Sequence, residues 1–116
     1  VAALYEHIRQ AAGFVFVAGQ TPLLPSGEVP DDAGEQVAVV LGKIGALLNE
    51  QSLGLEHVVK VTYFLTDIAD LADVRIALDA ALPTPRPSSS LVAVTALVDP
   101  RFRIEIEAIA HRETSG

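Results

Sequence analysis

The sequence contains no cysteine and no methionine, and only 8 of its 116 residues are Lys or Arg. Without cysteine there is neither a disulfide framework nor a thiolate metal site. That fits a reducing compartment, and we expect a cytoplasmic protein. The 8 cations face 15 carboxylates, for a formal charge of -7 at pH 7. Affinity for nucleic acid rests on neutralising phosphates with Lys and Arg. Here only Arg101 and Arg103 lie close together, so no nucleic-acid partner is expected. Long apolar runs are missing too. VAVVLGKIGALL is broken by Gly and Lys and falls short of the roughly 20 residues a membrane helix needs, so no membrane association is expected. No basic segment precedes a hydrophobic one, so no signal peptide is expected. Internal repeats and low-complexity segments are absent as well.

What is present is the balance of a compact domain: 50% hydrophobic and 20% charged residues. A chain of this length buries roughly two thirds of its unfolded surface, and one domain over residues 1–116 is expected. Two strand-like runs, Tyr5 to Gln10 and Phe14 to Ala18, flank Ala11-Ala12-Gly13, where Gly13 offers the positive φ of a tight hairpin. The loop TPLLPSGEVP follows, too rich in Pro and Gly for regular structure. Asp31 and Asp32 then stand as N-cap candidates. Val37, Val40, Leu41, Ile44, Leu47 and Leu48 recur at helical spacing, and Gly54 is placed as the residue that stops the helix.

The β-branched and aromatic run from His57 to Leu65 predicts a central strand. Asp70, with Asp73 at capping-box spacing, opens a second helix whose buried stripe is Leu71, Val74, Leu78 and Leu82. Pro83, Pro85 and Pro87 end it and impose an extended stretch. Ser89 to Val94 and Arg103 to Ala110 are the last strands, joined by the turn-like Val98-Asp99-Pro100. The predicted fold class is α+β, in the order ββαβαββ, with a mixed sheet and both helices on one face.

Few residues announce chemistry. The run Ser88-Ser89-Ser90 holds hydroxyls, but a nucleophilic serine needs an adjacent base, and none of His7, His57 and His111 forms a local motif with it. A polar strand entry bonding its own backbone is the plainer account. Glu105 and Glu107 alternate with Ile104 and Ile106, so both carboxylates share one strand face. That face is either solvated or a cleft in which a carboxylate orients water. The histidines lack the spacing of a metal site.

FVFVAGQTP, the GEVP loop, HVVKVTYFLTDIADL, PRPSSSLVAVTAL and the ending RIEIEAIA, in this order from Tyr5 to Ala110, resemble the RidA/YjgF family. These are reactive-intermediate deaminases, often labelled endoribonuclease L-PSP. The resemblance implies a chorismate-mutase-like fold and a homotrimer with small-molecule clefts between subunits. It also implies hydrolysis of enamines or imines to a keto acid and ammonia, with no metal or cofactor. Residue by residue, the family's first tyrosine matches Tyr5 and its final-strand glutamate matches Glu105, which the resemblance makes the catalytic candidate. The serine before its Gly-Gln is Ala18 here, and its second-helix asparagine falls on Arg75. The arginine that opens the family's R-S-C-V strand and grips the substrate carboxylate falls on Ser89, with Ser90 keeping the serine and Leu91 replacing the cysteine. The implied ligand-binding set is therefore Tyr5, Ala18, Arg75, Ser89, Ser90 and Leu91. A hydroxyl cannot match the two charge-assisted bonds of a guanidinium, and Arg75 or Arg86 is expected to supply the missing cation. Subgroups without that arginine look unlike enamine deaminases. A non-catalytic ligand-binding protein is thus the second expectation, and a ribonuclease the third.

Overall fold

The structure, a computed structural model, describes residues 3–113. The strand β1 (Ile8–Ala11) turns directly into β2 (Phe14–Gln20). Ala12 and Gly13, at φ 51° and 81°, form the two-residue turn whose twist suits a hairpin. β2 leads through the Pro- and Gly-rich loop to α1 (Ala33–Asn49), capped by Asp32, whose Oδ2 accepts from the Glu35 amide at 3.0 Å. Then follow β3 (Val58–Leu65), α2 (Leu71–Ala81), β4 (Ser88–Ala93) and β5 (Ile104–His111). The strands make one sheet in the order β1-β2-β5-β3-β4. All neighbours are antiparallel except β3 and β4, which α2 connects as a parallel crossover pair.

Period-two alternation divides the sheet into two faces. Val15 and Val17, Val61, Tyr63 and Leu65, and Ile104, Ile106, Ala108 and Ala110 point one way and are buried. Against them pack Val37, Val40, Leu41, Ile44 and Leu48 of α1 and Val74 and Leu78 of α2. Among the described residues the other face carries no helix, and on it Phe14, Phe16 and Val92 remain exposed. Neither helix is long and apolar enough to cross a membrane.

Three details depart from expectation. β1 starts at Ile8, so Tyr5 precedes the sheet. α1 ends at Asn49, because Ser52 takes φ 61° and the Leu53 amide returns to the Leu48 carbonyl at 2.9 Å. That turn closes the helix before Gly54, which is extended. Asp70 makes no side-chain cap; its carboxylate is instead held by Arg103 at 3.1 Å. Arg103 and Arg101, which pairs with Asp99 at 2.8 Å, are thus both spent on local acids.

Candidate functional site

The seven candidate residues fall on two sides of the sheet. Ser89 and Leu91 stand opposite Val61 and Tyr63 in the β3–β4 register, so they face the helix side. There they meet Arg75, which projects from α2, and the three line one groove of about 650 Å³ together with Arg86, Asp79 and Tyr63. Arg86 is paired with Asp79, Nη2 to Oδ1 at 3.0 Å. Arg75 belongs to no ion pair among the described residues. Ser90 is one residue out of phase and lies on the opposite face, where its Oγ accepts from the Lys60 ammonium at 2.8 Å. The serine run therefore does not line a single floor, since a step of one residue along a strand reverses the side chain.

Glu105 belongs to the face that carries no helix. It stands opposite Phe64 and touches Gly19, where an added Cβ would run into its Oε2. Burial, and secondarily the Glu107 carboxylate, hold the Glu105 carboxyl above its ordinary range. Both act against the ionised form. Close by, the irregular pairing of β2 with β5 between Val17 and Gln20 brings both Ala18 and Gly19 to this edge. The Ala18 amide donates to the His7 carbonyl at 2.9 Å. Gln20, buried, donates through Nε2 to the Ala18 carbonyl at 3.0 Å and meets His7 Nδ1 at 3.2 Å. Tyr5 stacks edge-on against His7, centroids 5.4 Å apart, and remains 60% exposed. A shallow hollow of about 290 Å³ beside Ala18 is lined also by Arg9, Phe16 and Glu107.

Two groups of candidate residues result. Arg75, Ser89 and Leu91 line the groove on the helix side. Glu105 and Ala18 lie on the other face, and Tyr5 precedes the sheet beside His7. A single subunit does not bring them together. Among the described residues, no three of His, Asp and Glu converge as a metal site would require. Sequence reasoning missed Gly19 and Tyr63. A tyrosine between Val61 and Leu65, at a core-facing strand position, was a visible signal; the need for glycine beside Glu105 had none.

The family model described as endoribonuclease L-PSP matches residues 1–112. A RutC family protein of Pyrococcus abyssi is 37% identical over 111 residues, covering 94% of this chain and 87% of that one. A YjgF family member from Neisseria meningitidis superposes with a TM-score of 0.87 at 28% identity, covering 99% and 92% of the two chains. The chain belongs to the RidA/YjgF family. Within the RidA/YjgF family it is also similar to TdcF of Escherichia coli, whose name carries reactive intermediate deaminase as a provisional activity. That protein is 32% identical over 102 residues, 84% of this chain and 78% of its own. Its crystal structure with bound serine gives a TM-score of 0.87 at 30% identity, covering 97% of this chain and 91% of that one. The five-stranded mixed sheet with both helices on one side is accordingly the chorismate-mutase-like fold of the RidA/YjgF proteins.

Proposed function

We propose that the chain works as a homotrimer with a cleft between neighbouring subunits. The cleft binds a small keto or imino acid, and imine hydrolysis there is slow. The observation that carries this reading is the split site. Arg75, Ser89 and Leu91 face one side of the sheet and Glu105 the other, so a head-to-tail ring joins the first half of one subunit to the second half of the next. The bound serine in TdcF supports a small polar ligand. In the reaction, water adds its oxygen to the imine carbon, the C–N bond breaks, and nitrogen leaves as ammonia with the protons it gains, yielding a 2-keto acid. Glu105, ionised, orients that water and accepts its proton.

The neutral Ser89 hydroxyl makes turnover slow. Replacing a charge-assisted pair with a hydroxyl forfeits about 1.5–3 kcal/mol, which is roughly ten- to a hundredfold in kcat/KM. Arg75 supplies charge to the same groove from a different backbone position, which attracts an acid without holding it as the fork would. The test is release of ammonia from 2-iminopropionate generated in solution. Wild type is expected to be roughly ten- to a hundredfold slower than the double variant Ser89→Arg/Arg75→Asn. Ser89→Arg alone gains less, because the new guanidinium meets Arg75 on the same face. A wild-type rate equal to the double variant's overturns the slow-hydrolase reading. Ligand binding with no turnover in either protein selects the non-catalytic role, which the same serine favours. The charge of -7 opposes a ribonuclease reading.

A further inference from the structure

The groove between α2 and β4 contains a polar atom that the hydrolysis argued above gives no role. Tyr63 lies on the helix side of β3 and is only 4% exposed, packed into the core yet lining the groove. Burial raises the pKa of its hydroxyl, and the Arg86 charge opposes that rise; no hydrogen bond from the described residues contributes. No side-chain nitrogen or oxygen among the described residues is both sealed from solvent and unpartnered. The Tyr63 hydroxyl therefore keeps its opening where the ring reaches the groove. A buried tyrosine ordinarily finds a partner for its hydroxyl, and here the open position is the groove itself.

The walls show what kind of molecule fits beside it. Two guanidiniums, Arg75 and Arg86, line the groove against the single carboxylate of Asp79, so an anion is attracted. Leu71, Ile76 and Leu91 supply apolar surface, and Ile76, 70% exposed, stands uncovered. The volume of about 650 Å³ lies in the range of pockets that enclose ligands well beyond a three-carbon acid.

We propose that the groove selects a 2-oxo or 2-imino acid with a branched or aromatic side chain. Its carboxylate lies against Arg75 and Arg86, its side chain on Leu71, Ile76 and Leu91, and the Tyr63 hydroxyl donates to the oxygen or nitrogen at carbon 2. The inference rests on the small-acid cleft argued above and names its specificity. Tyr63 is the specificity residue, and the apolar walls are what separate a bulky acid from pyruvate.

Calorimetric titration of the full chain with phenylpyruvate, pyruvate and 3-phenylpropanoate tests it, with sedimentation at the same concentration. Phenylpyruvate is expected to bind at least about tenfold more tightly than pyruvate. Arg75→Gln should weaken both by about tenfold. Tyr63→Phe, which keeps the ring in the core, should weaken phenylpyruvate about three- to tenfold. It should leave 3-phenylpropanoate, which has no oxygen at carbon 2, unchanged. Equal affinity for pyruvate and phenylpyruvate, or indifference to Arg75→Gln, overturns the groove as the selecting surface. Equal losses for phenylpyruvate and 3-phenylpropanoate in Tyr63→Phe overturn the role of the hydroxyl. A monomer that binds in the expected pattern leaves this inference standing and defeats the shared cleft. A trimer that binds pyruvate as tightly as phenylpyruvate does the reverse.

Discussion

At the scale of single residues, the role proposed for Glu105 conflicts with stability. Its carboxyl is held above the ordinary range by burial and by Glu107, so the folded chain binds this proton more readily than the unfolded chain. The stabilisation linked to that proton is complete below the unfolded pKa and is lost as pH rises through the folded one. At neutral pH the charge is carried at a cost, which its partial exposure screens to a fraction of the buried value. Glu105→Gln should therefore raise Tm at pH 7 by a degree or two, roughly a few tenths of a kcal/mol. The gain should fade as pH falls toward about 4, where the wild-type carboxyl is also neutral. The same variant should abolish imine hydrolysis. Thermal melts across pH check the first half and ammonia release the second. A loss of Tm at pH 7 would show that the carboxylate is stabilising and would remove the reason for its raised pKa.

At the scale of elements, the joint between α1 and β5 depends on one side chain that patterns of hydrophobicity do not reveal. Gln36 is fully buried. Its Nε2 donates to the carbonyls of Pro30 at 2.7 Å and Arg101 at 3.0 Å, and its Oε1 accepts from the Arg103 amide at 2.7 Å. Gln36→Leu keeps the apolar stripe of α1 but strands three backbone groups. At about 1–3 kcal/mol for each group left sealed and unpaired, partly relieved by water, the loss should total about 2–4 kcal/mol. Chemical denaturation should show this as a lower midpoint with unchanged slope. A change within about 0.5 kcal/mol would mean the loops rearrange to satisfy themselves.

This contrast marks what the sequence made legible. The hairpin at Gly13, the Asp32 cap, the stripe of α1 and the alternation of Glu105 with Ile104 and Ile106 are local patterns, and each appears where local spacing placed it. The end of α1 did not follow from Gly54, because Leu53 is drawn into the core and Ser52 takes the left-handed turn instead. Asp70 stands before α2 without capping it through its side chain, because it closes a tight turn over Ile68–Asp70 that Asp67 caps instead, and its own carboxylate is held by Arg103, 33 residues away. The candidate site was legible as a set of residue types but not as a geometry. Ser89 and Ser90 are neighbours in the chain and sit on opposite faces, and the half carrying Glu105 lies across the sheet from the half carrying Arg75.

At the scale of the molecule, the sheet face without helices leaves apolar side chains exposed. Phe14 and Phe16 on β2 are exposed at 39% and 43%, and Val92 on β4 at 43%, with Phe64 and Ile109 on the strands between them. Phe14, Phe16 and Ile109 gather at one end of the face and Phe64 and Val92 at the other, with Lys60, Thr62, Ser90 and Glu107 between them; exposed apolar clusters of this kind point to a protein contact. The face also carries Glu105, so whatever covers it approaches the proposed cleft. In the proposed trimer a second copy of the chain covers it and brings its own groove with Arg75 and Arg86 to this carboxylate. In that proposal three subunits close the ring, at three times the 12.2 kDa of one chain. Sedimentation should show that mass at micromolar concentration. Phe16→Asp sets a charge in the cluster of Phe14, Phe16 and Ile109 without touching the core, since Phe16 points away from Val15 and Val17. It should shift the protein to monomer at the same concentration, a loss of at least about 2–3 kcal/mol per contact. Its helical circular dichroism should be retained. Ammonia release should fall with the trimer, while phenylpyruvate should still find the groove with reduced affinity. A Phe16→Asp protein that stays trimeric would place the subunit contact on another surface and would leave Glu105 facing solvent, with no groove opposite it.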